Sequence, residues 1–350
     1  MQHIAGAVVP PARDYDADIL ILALDRAPET AAAIRSALAQ RAITRHVFVI
    51  DQGSQPEGLA RLAACVADRD DATLVRLDRN HGVAGGRNRG AALGHGRVIA
   101  ALDNDAEFAD AETLARAVAA LDAEPDIAAL GLRITVFADG SDDLSSWGYP
   151  PGLLPRAADT FDAVTFVGAG HAIRRAAWDD AGGYDDALFF CWEEYDFCLR
   201  AIALGWQIRY RGDIVVRHKV SAGQRVAWDG DRWFYHVRNR LYIERKLGRT
   251  WLSLAPRIAG YLLKGMRNGL SGPTMRGIRA ALSMVPDTVR ELPAAGHTYC
   301  QRNDSAHRGG PGRRLMQDVF SRIAVEPARR RRQDCRSDSV ATTGSVRSPA

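Results

Sequence analysis

The run Ile19-Leu20-Ile21-Leu22-Ala23-Leu24, followed at once by Asp25-Arg26 and then by Pro28, decides how the rest of the chain is read. An apolar run without alternation marks a strand buried on both faces, which belongs in a parallel sheet rather than at a wet surface. Pro28 suits a first helical turn, and Ile34 and Leu38 fall four apart on one face of the helix that follows. The same unit recurs downstream. His46 to Ile50 reads as a second strand, and Leu59, Leu62, Ala63 and Val66 give the i, i+3, i+4, i+7 stripe of a second helix. Thr73 to Leu77 and Arg97 to Leu102 are two further strands, separated by a glycine-rich helix start. This βαβα alternation predicts an α/β fold, a mainly parallel sheet with helices on both faces.

Beyond Leu102 the pattern loosens. Asp139 to Arg156, rich in Asp, Ser, Gly and Pro, predicts a long surface loop of the kind that can serve as a lid. Ala163 to Val167 reads as a strand, Glu194 to Leu204 as a helix and Ile214 to Arg217 as a last short strand. From Trp228 onward the chain reads helical, and beyond about Gly296 its Gly, Arg and Ser content predicts a disordered tail carrying the run Arg329 to Arg332. Four segments follow: an N-terminal extension (1–17), the α/β domain (18–225), a helical extension (226–296) and the tail (297–350).

Composition narrows the class. With 350 residues, 47% hydrophobic and 25% charged, the chain can bury one large core plus a helical annex. A net charge of +4 is too modest to imply a nucleic-acid partner. The five cysteines match neither zinc spacing nor a CxxC pair, so free thiols in a reducing cytoplasm are expected. Met1 to Asp18 has no basic start followed by an apolar run, so no signal peptide is expected. Trp251 to Leu263 is broken by Arg257 and falls short of the roughly 20 residues of a membrane span.

Ligands of open parallel sheets bind beyond the carboxyl ends of the strands. Here those ends carry Asp25-Arg26, Asp51-Gln52-Gly53-Ser54, Asn80-His81-Gly82 and Asp103-Asn104-Asp105. One aspartate after a strand is ordinarily a turn or helix cap. Three such ends converging on one crevice are harder to explain that way. Asp103-x-Asp105 after an apolar strand supplies the one or two carboxylates that Mg²⁺ or Mn²⁺ needs when substrate phosphates complete the shell. An ion held there would neutralise charge building on a diphosphate leaving group, with Arg87 as the candidate second cation.

The ordered set Val49-Ile50-Asp51-Gln52-Gly53-Ser54, Asn80-x-Gly82, Arg87-Asn88-x-Gly90 and Leu102-Asp103-Asn104-Asp105 resembles the family 2 glycosyltransferases. The second half agrees: Gly168-Ala169-Gly170, Gly182-Gly183-Tyr184-Asp185, then Trp192-Glu193-Glu194-Tyr195-Asp196 leading into Leu199-Arg200. The likeness runs from about Asp18 to His218 and is closest to the branch that adds rhamnose or galactofuranose to bacterial envelope glycans.

The resemblance implies a GT-A-like, Rossmann-like fold, a nucleotide-diphosphate sugar donor, inversion at the anomeric carbon, and a glycan or lipid-linked acceptor. It places Asp25, Asp51, Asn80, Arg87, Asp103 and Asn104 on the donor side, with Asp51 at the nucleoside. Asp103 and Asp105 would hold Mn²⁺ or Mg²⁺, joined by His218. Glu194, or its neighbour Glu193, would be the base, and Trp192 and Asp196 would face the acceptor, with Asp196 also able to pair with Arg200 at i+4. Two departures stand out: Ala23-Leu24-Asp25-Arg26 replaces the usual Thr-Tyr-Asn-Arg, and Glu194 replaces an Asp. A sugar nucleotidyltransferase, or a non-catalytic adaptor binding anionic partners through the Arg-rich tail, remain the alternatives. Basic Arg238, Arg240, Arg245, Lys246 and Arg249 interleave with apolar Trp233, Phe234, Val237, Leu241 and Leu247, which predicts a helix lying on the inner face of the cell membrane.

Overall fold

Aspartates at strand ends converge only if their strands run the same way, and in the computed structural model the first ones do. The structure describes residues 1–9, 11–219, 230–310 and 312. One sheet is built from β1 (Gln2–Gly6), β2 (Ala17–Ala23), β3 (Arg45–Asp51), β4 (Ala72–Arg76), β5 (Val98–Leu102), β6 (Ala106–Phe108), β7 (Ile127–Val136), β8 (Thr160–Ala163), β9 (Gly170–Arg174) and β10 (Gln207–His218). Its order is β1-β4-β3-β2-β5-β9-β7-β10-β6, with β8 also paired to β10. Strands β4, β3, β2 and β5 are parallel, so their Asp- and Asn-bearing ends share one edge of the sheet.

The second half is mixed. Strand β9 enters antiparallel to both β5 and β7, and β10 runs parallel to β7 but antiparallel to β6 and β8. The mainly parallel sheet expected from the sequence therefore describes the first half only. Apolar patterning reports burial and not direction: Ala172 and Ile173 of the antiparallel β9 are as fully buried as Ile19 and Ile21 of β2. The N-terminal extension is likewise part of the sheet, since β1 pairs antiparallel with β4.

Helices α1 (Ala27–Leu38), α2 (Pro56–Val66), α3 (Gly82–Ala91), α4 (Thr113–Ala123), α5 (Arg175–Ala181) and α6 (Glu193–Ala203) cover the two faces. Ile19, Ile21, Val47 and Val49 point to the side of α1, α2 and α4; Leu20, Phe48 and Ile50 point to the side of α3, α5 and α6. This is the GT-A-like α/β arrangement expected from the sequence. The segment 139–156 is more than a surface loop: Asp143, Tyr149 and Leu153 are buried, and the aromatic rings of Tyr149, Phe161 and Tyr210 pack together.

The helical annex consists of α7 (Gly230–Lys246), α8 (Trp251–Arg267), α9 (Ser271–Ser283) and α10 (Ala294–Asn303). Trp233, Val237 and Leu241 of α7, Leu254 of α8 and Ile278 of α9 form its own core. Three of the five apolar residues that pointed to a membrane face on α7, Trp233, Val237 and Leu241, thus pack inside the annex, and Leu247 packs against the core under the sheet. The tail also begins later than Gly296. Helix α10 continues through Asn303, and Tyr299 Oη hydrogen-bonds the carbonyls of Ala163 and Ile208 at 3.0 Å each, tying it to the sheet. The remainder of the expected tail from residue 313, with Arg329 to Arg332 and Cys335, and Trp228 lie outside the described residues. Cys65, Cys191, Cys198 and Cys300 are free thiols. Among the described residues no helix is long and apolar enough to cross a membrane.

Candidate functional site

Three of the strand-end residues turn out to be held locally. Asp51 is fully buried, and its carboxylate accepts from the backbone N–H of Gly53 and Ser54 at 3.3 and 3.1 Å, with Arg76 3.4 Å away. Asn80 Oδ1 accepts from Gly82 N–H at 2.7 Å and so starts α3. Asp25 is exposed and accepts from Gln55 N–H at 3.3 Å. Asn104 lies in the turn between β5 and β6.

Arg87, buried on α3, joins the two halves of the site. Its Nη2 donates to Asp103 Oδ1 at 2.9 Å and to the Gly168 carbonyl at 2.7 Å, while Nη1 donates to Glu194 Oε1 at 3.0 Å. One guanidinium thus spans a carboxylate from the end of β5 and a carboxylate from the first turn of α6, using the fork geometry that suits Arg to such bridges. Close packing around Gly168 allows it: a Cβ there would fall 2.6 Å from Glu194 Oε1.

Asp105 lies on the other side of Asp103. It takes Arg26 Nη1 at 2.5 Å on one oxygen and His218 Nε2 at 3.2 Å on the other. His218 Nδ1 faces Asp143 Oδ2 at 2.9 Å. Burial works against the charged imidazole, but hydrogen bonds to Asp105 and Asp143 overcome it and raise the His218 pKa to about 10. The sequence brought Asp105 and His218 forward and placed Arg26 at the end of the first strand without giving it a role; it did not single out Asp143, which comes from the segment expected to be a loose loop.

Asp103 and Asp105 offer carboxylate oxygens, the donors that Mn²⁺ and Mg²⁺ prefer, and His218 offers an imidazole nitrogen, which suits Mn²⁺ better than the harder Mg²⁺. Among the described residues no three His, Cys, Asp or Glu side chains stand ready as a cage. The donor set therefore fits an ion whose shell is completed by phosphate and water, with Arg26 and a protonated His218 as the groups that would have to yield.

The acid pair is placed by a strained approach. Phe189, Cys191 and Trp192 all have positive φ, at 61°, 70° and 74°, in the segment leading into α6. Such conformations cost non-glycine residues about 1–2 kcal/mol each and persist where surroundings hold them. Asn239 on α7 is fully buried, and its Nδ2 donates to the carbonyls of Leu188, Phe190 and Cys191, each at 2.8 Å. Arg238 Nη2 donates to the carbonyls of Ala187 and Leu188, also at 2.8 Å. On the other flank the Phe189 carbonyl accepts from Val83 N–H at 2.6 Å, an approach open because Gly82 has no Cβ: one there would lie 2.1 Å from that oxygen.

Within the pair the two acids differ. Glu194 meets Arg87, and burial raises its pKa against the pull of that cation. Glu193 is buried, its Oε2 lacks a hydrogen-bond partner among the described residues, and burial followed by the nearby Glu194 charge pushes its pKa well up. Trp192 Nε1 donates to the His236 carbonyl at 3.1 Å, and Arg240 lies 5.1 Å from the Trp192 ring and 4.5 Å from that of Tyr195. Asp196 is drawn elsewhere. Its buried carboxylate pairs with Arg200 at 2.8 Å and Lys246 at 2.7 Å, so the i+4 pairing predicted from the sequence is present and both oxygens are occupied away from Arg87.

Comparison with known proteins agrees with this architecture. Residues 18–182 match the family model described as glycosyl transferase family 2. Succinoglycan biosynthesis protein ExoO of Rhizobium meliloti (strain 1021) is 41% identical over 98 residues, covering 27% of this chain and 28% of that protein. Succinoglycan biosynthesis protein ExoU of the same organism is 29% identical over 201 residues, covering 54% of this chain and 58% of that protein. The chain thus spans only part of the length of either relative. A mannosyltransferase from Pyrobaculum calidifontis, solved in complex with GDP-Man and Mn²⁺, superposes with a TM-score of 0.51 at 16% identity, covering 90% of this chain and 87% of that one. A likeness at that identity speaks for the fold.

Proposed function

We propose that this chain is a family 2 glycosyltransferase that moves a sugar from a nucleotide-diphosphate donor to a hydroxyl of a glycan or lipid-linked acceptor, with inversion at the anomeric carbon, in envelope polysaccharide synthesis. The observation that carries the reading is the Asp103–Arg87–Glu194 bridge, in which one buried cation links a donor-side carboxylate to a base candidate. Support comes also from the family match over residues 18–182 and from the two succinoglycan biosynthesis relatives. Rhamnose and galactofuranose are the sugars favoured by the sequence likeness. The nucleotidyltransferase alternative calls for a glycine-rich, cationic loop right after β2, where this chain has Leu24-Asp25-Arg26-Ala27.

In this reading Asp103 and Asp105, with His218, would hold Mn²⁺ or Mg²⁺. That ion, when bound, supplies charge neutralisation for the leaving group. The chain's own residues do the rest. Glu194 accepts the proton of the acceptor hydroxyl; its burial keeps the carboxylate basic, and Arg87 keeps it oriented. Arg87 and Arg26 add positive charge beside the diphosphate. Trp192 lies on the acceptor side in this reading, its ring packed between Tyr195, His236 and Arg240.

A panel of nucleotide sugars, screened by thermal shift with Mn²⁺ and again in chelator, tests the donor half. One donor should stabilise the wild type only with metal, and Asp105→Ala should lose that shift while remaining folded. Glu194→Gln tests the acceptor half: turnover should drop by about 10²- to 10⁴-fold with donor affinity retained. Near-normal turnover in Glu194→Gln, with Glu193→Gln crippled, would move the base to Glu193.

A further inference from the structure

Helix α8 is apolar on two sides. Leu254, Ile258 and Tyr261 face inward and pack in the annex core. On the opposite side Leu252, Pro256, Ala259, Leu263 and Met266 recur at i, i+4, i+7, i+11 and i+14, which places them within one narrow stripe. All five are exposed, Leu252 by 85% and Met266 by 60%. A soluble helix ordinarily turns polar residues outward, and one that is apolar all round is covered by something.

Charge identifies the cover. Between Glu244 and Asp287 the sequence holds eight Lys and Arg and no Asp or Glu. Three of them, Arg257, Lys264 and Arg267, follow at i, i+7 and i+10 along α8 in a row flanking the stripe, where Arg257 also reaches Glu244 at 3.4 Å and Lys264 also lies over the Trp233 ring at 5.9 Å. Long basic side chains beside an apolar band suit an interface where stems lie in hydrocarbon and heads reach anionic headgroups. A second copy of the chain would bring an equally basic face against this one and be repelled.

We propose that α8 lies in the surface of an anionic lipid bilayer, with Leu252, Leu263 and Met266 inserted and the Arg257–Lys264–Arg267 row at headgroup level. The helix has 17 residues, about 25 Å at 1.5 Å per residue, and it lies along the membrane rather than through it. The attachment belongs to α8, and α7 serves it only as scaffold. It depends on the annex alone and is independent of the catalytic reading.

The full chain should co-sediment at low salt with vesicles of equal parts phosphatidylglycerol and phosphatidylcholine, and not with phosphatidylcholine alone. The double substitution Leu252→Glu with Leu263→Glu should weaken that binding by at least about tenfold, since each leucine removed from hydrocarbon is worth that much. Turnover with a water-soluble acceptor should not change. As a second measurement, an environment-sensitive fluorophore on Leu252→Cys should shift to the blue on the anionic vesicles only. Three results would each overturn the proposal: no binding to anionic vesicles with no spectral shift, binding undiminished in the double variant, or a wild-type dimer that the double variant splits without any lipid binding.

Discussion

Replacing Asn239 with alanine should damage both stability and turnover, although the residue lies on the annex and outside the carboxylate cluster. The strained residues Phe189, Cys191 and Trp192 together store about 3–6 kcal/mol, at about 1–2 each. What opposes this is visible in the hydrogen bonds. The two N–H groups of Asn239 are shared among three carbonyls and contribute about 0.5–1.5 kcal/mol each; the Arg238 guanidinium makes two charged hydrogen bonds worth about 1.5–3 each. Hold and strain are comparable, so losing one holder releases the segment. Asn239→Ala removes two donors and strands buried carbonyls, for a destabilisation of about 3 kcal/mol and a fall in Tm of roughly 5–10 °C. Glu193 and Glu194 begin α6 immediately after this segment, and a shift of about 1 Å there costs about 10²-fold in turnover. Donor affinity, measured by thermal shift or calorimetry, should stay near wild type. Asn239→Asp sharpens the test, because it keeps the shape but sets a carboxylate oxygen against three carbonyl oxygens. It should melt below the alanine variant and turn over no faster. An alanine variant with wild-type Tm and kcat, or an aspartate variant that matches wild type, would refute the reasoning.

Gly168→Ala should keep the fold and lose about 10- to 100-fold in kcat, because its Cβ would meet Glu194 Oε1 at 2.6 Å and must push that flexible carboxylate off Arg87; steady-state kinetics beside a circular dichroism spectrum checks this. Acid stability should depend on His46, whose buried ring bonds Thr73 Oγ1 at 2.8 Å and whose pKa is lowered by burial to about 4. The folded state then resists a proton that the unfolded state takes up near pH 6.5, so stability is full above that pH and falls as the pH drops toward 4, by about 2 kcal/mol at pH 5. His46→Asn should flatten this slope in denaturant titrations at pH 7 and pH 5; an equal slope in both proteins would remove His46 as its source.

The legible parts of this chain are those whose signals are local. Apolar runs gave β2, β3, β4 and β5 to within a residue or two, and the strand-end aspartates followed from them. The i, i+4 relation of Asp196 and Arg200 could be read on a helix without knowing its neighbours. His218 could be marked as a strand-end histidine, and it lies 3.2 Å from Asp105. Other features are not local. The hold of Arg26 on Asp105 spans 79 residues, that of Arg87 on Glu194 spans 107, and Asn239 reaches back 48 to 51 residues to the segment it fixes. No period or turn signal reports such contacts. The direction of β9 was hidden for the same reason, since hydrogen-bond partners rather than side-chain pattern decide it. For α7 the signal itself was ambiguous: an apolar stripe edged with Arg fits a lipid surface and a small helical core equally well, and only its neighbours α8 and α9 settle which face is covered.

Arg87 joins two stretches of the chain as well as two sides of the site. The stretch 18–182 carries Arg87, Asp103 and Gly168, while Glu194 and the helix that steadies it come afterwards. A chain that kept the earlier stretch but offered no carboxylate at the position of Glu194 would leave the buried Arg87 cation half satisfied. A gene fusion made at residue 182 would inherit the same obligation, and its first failure should be at this one guanidinium.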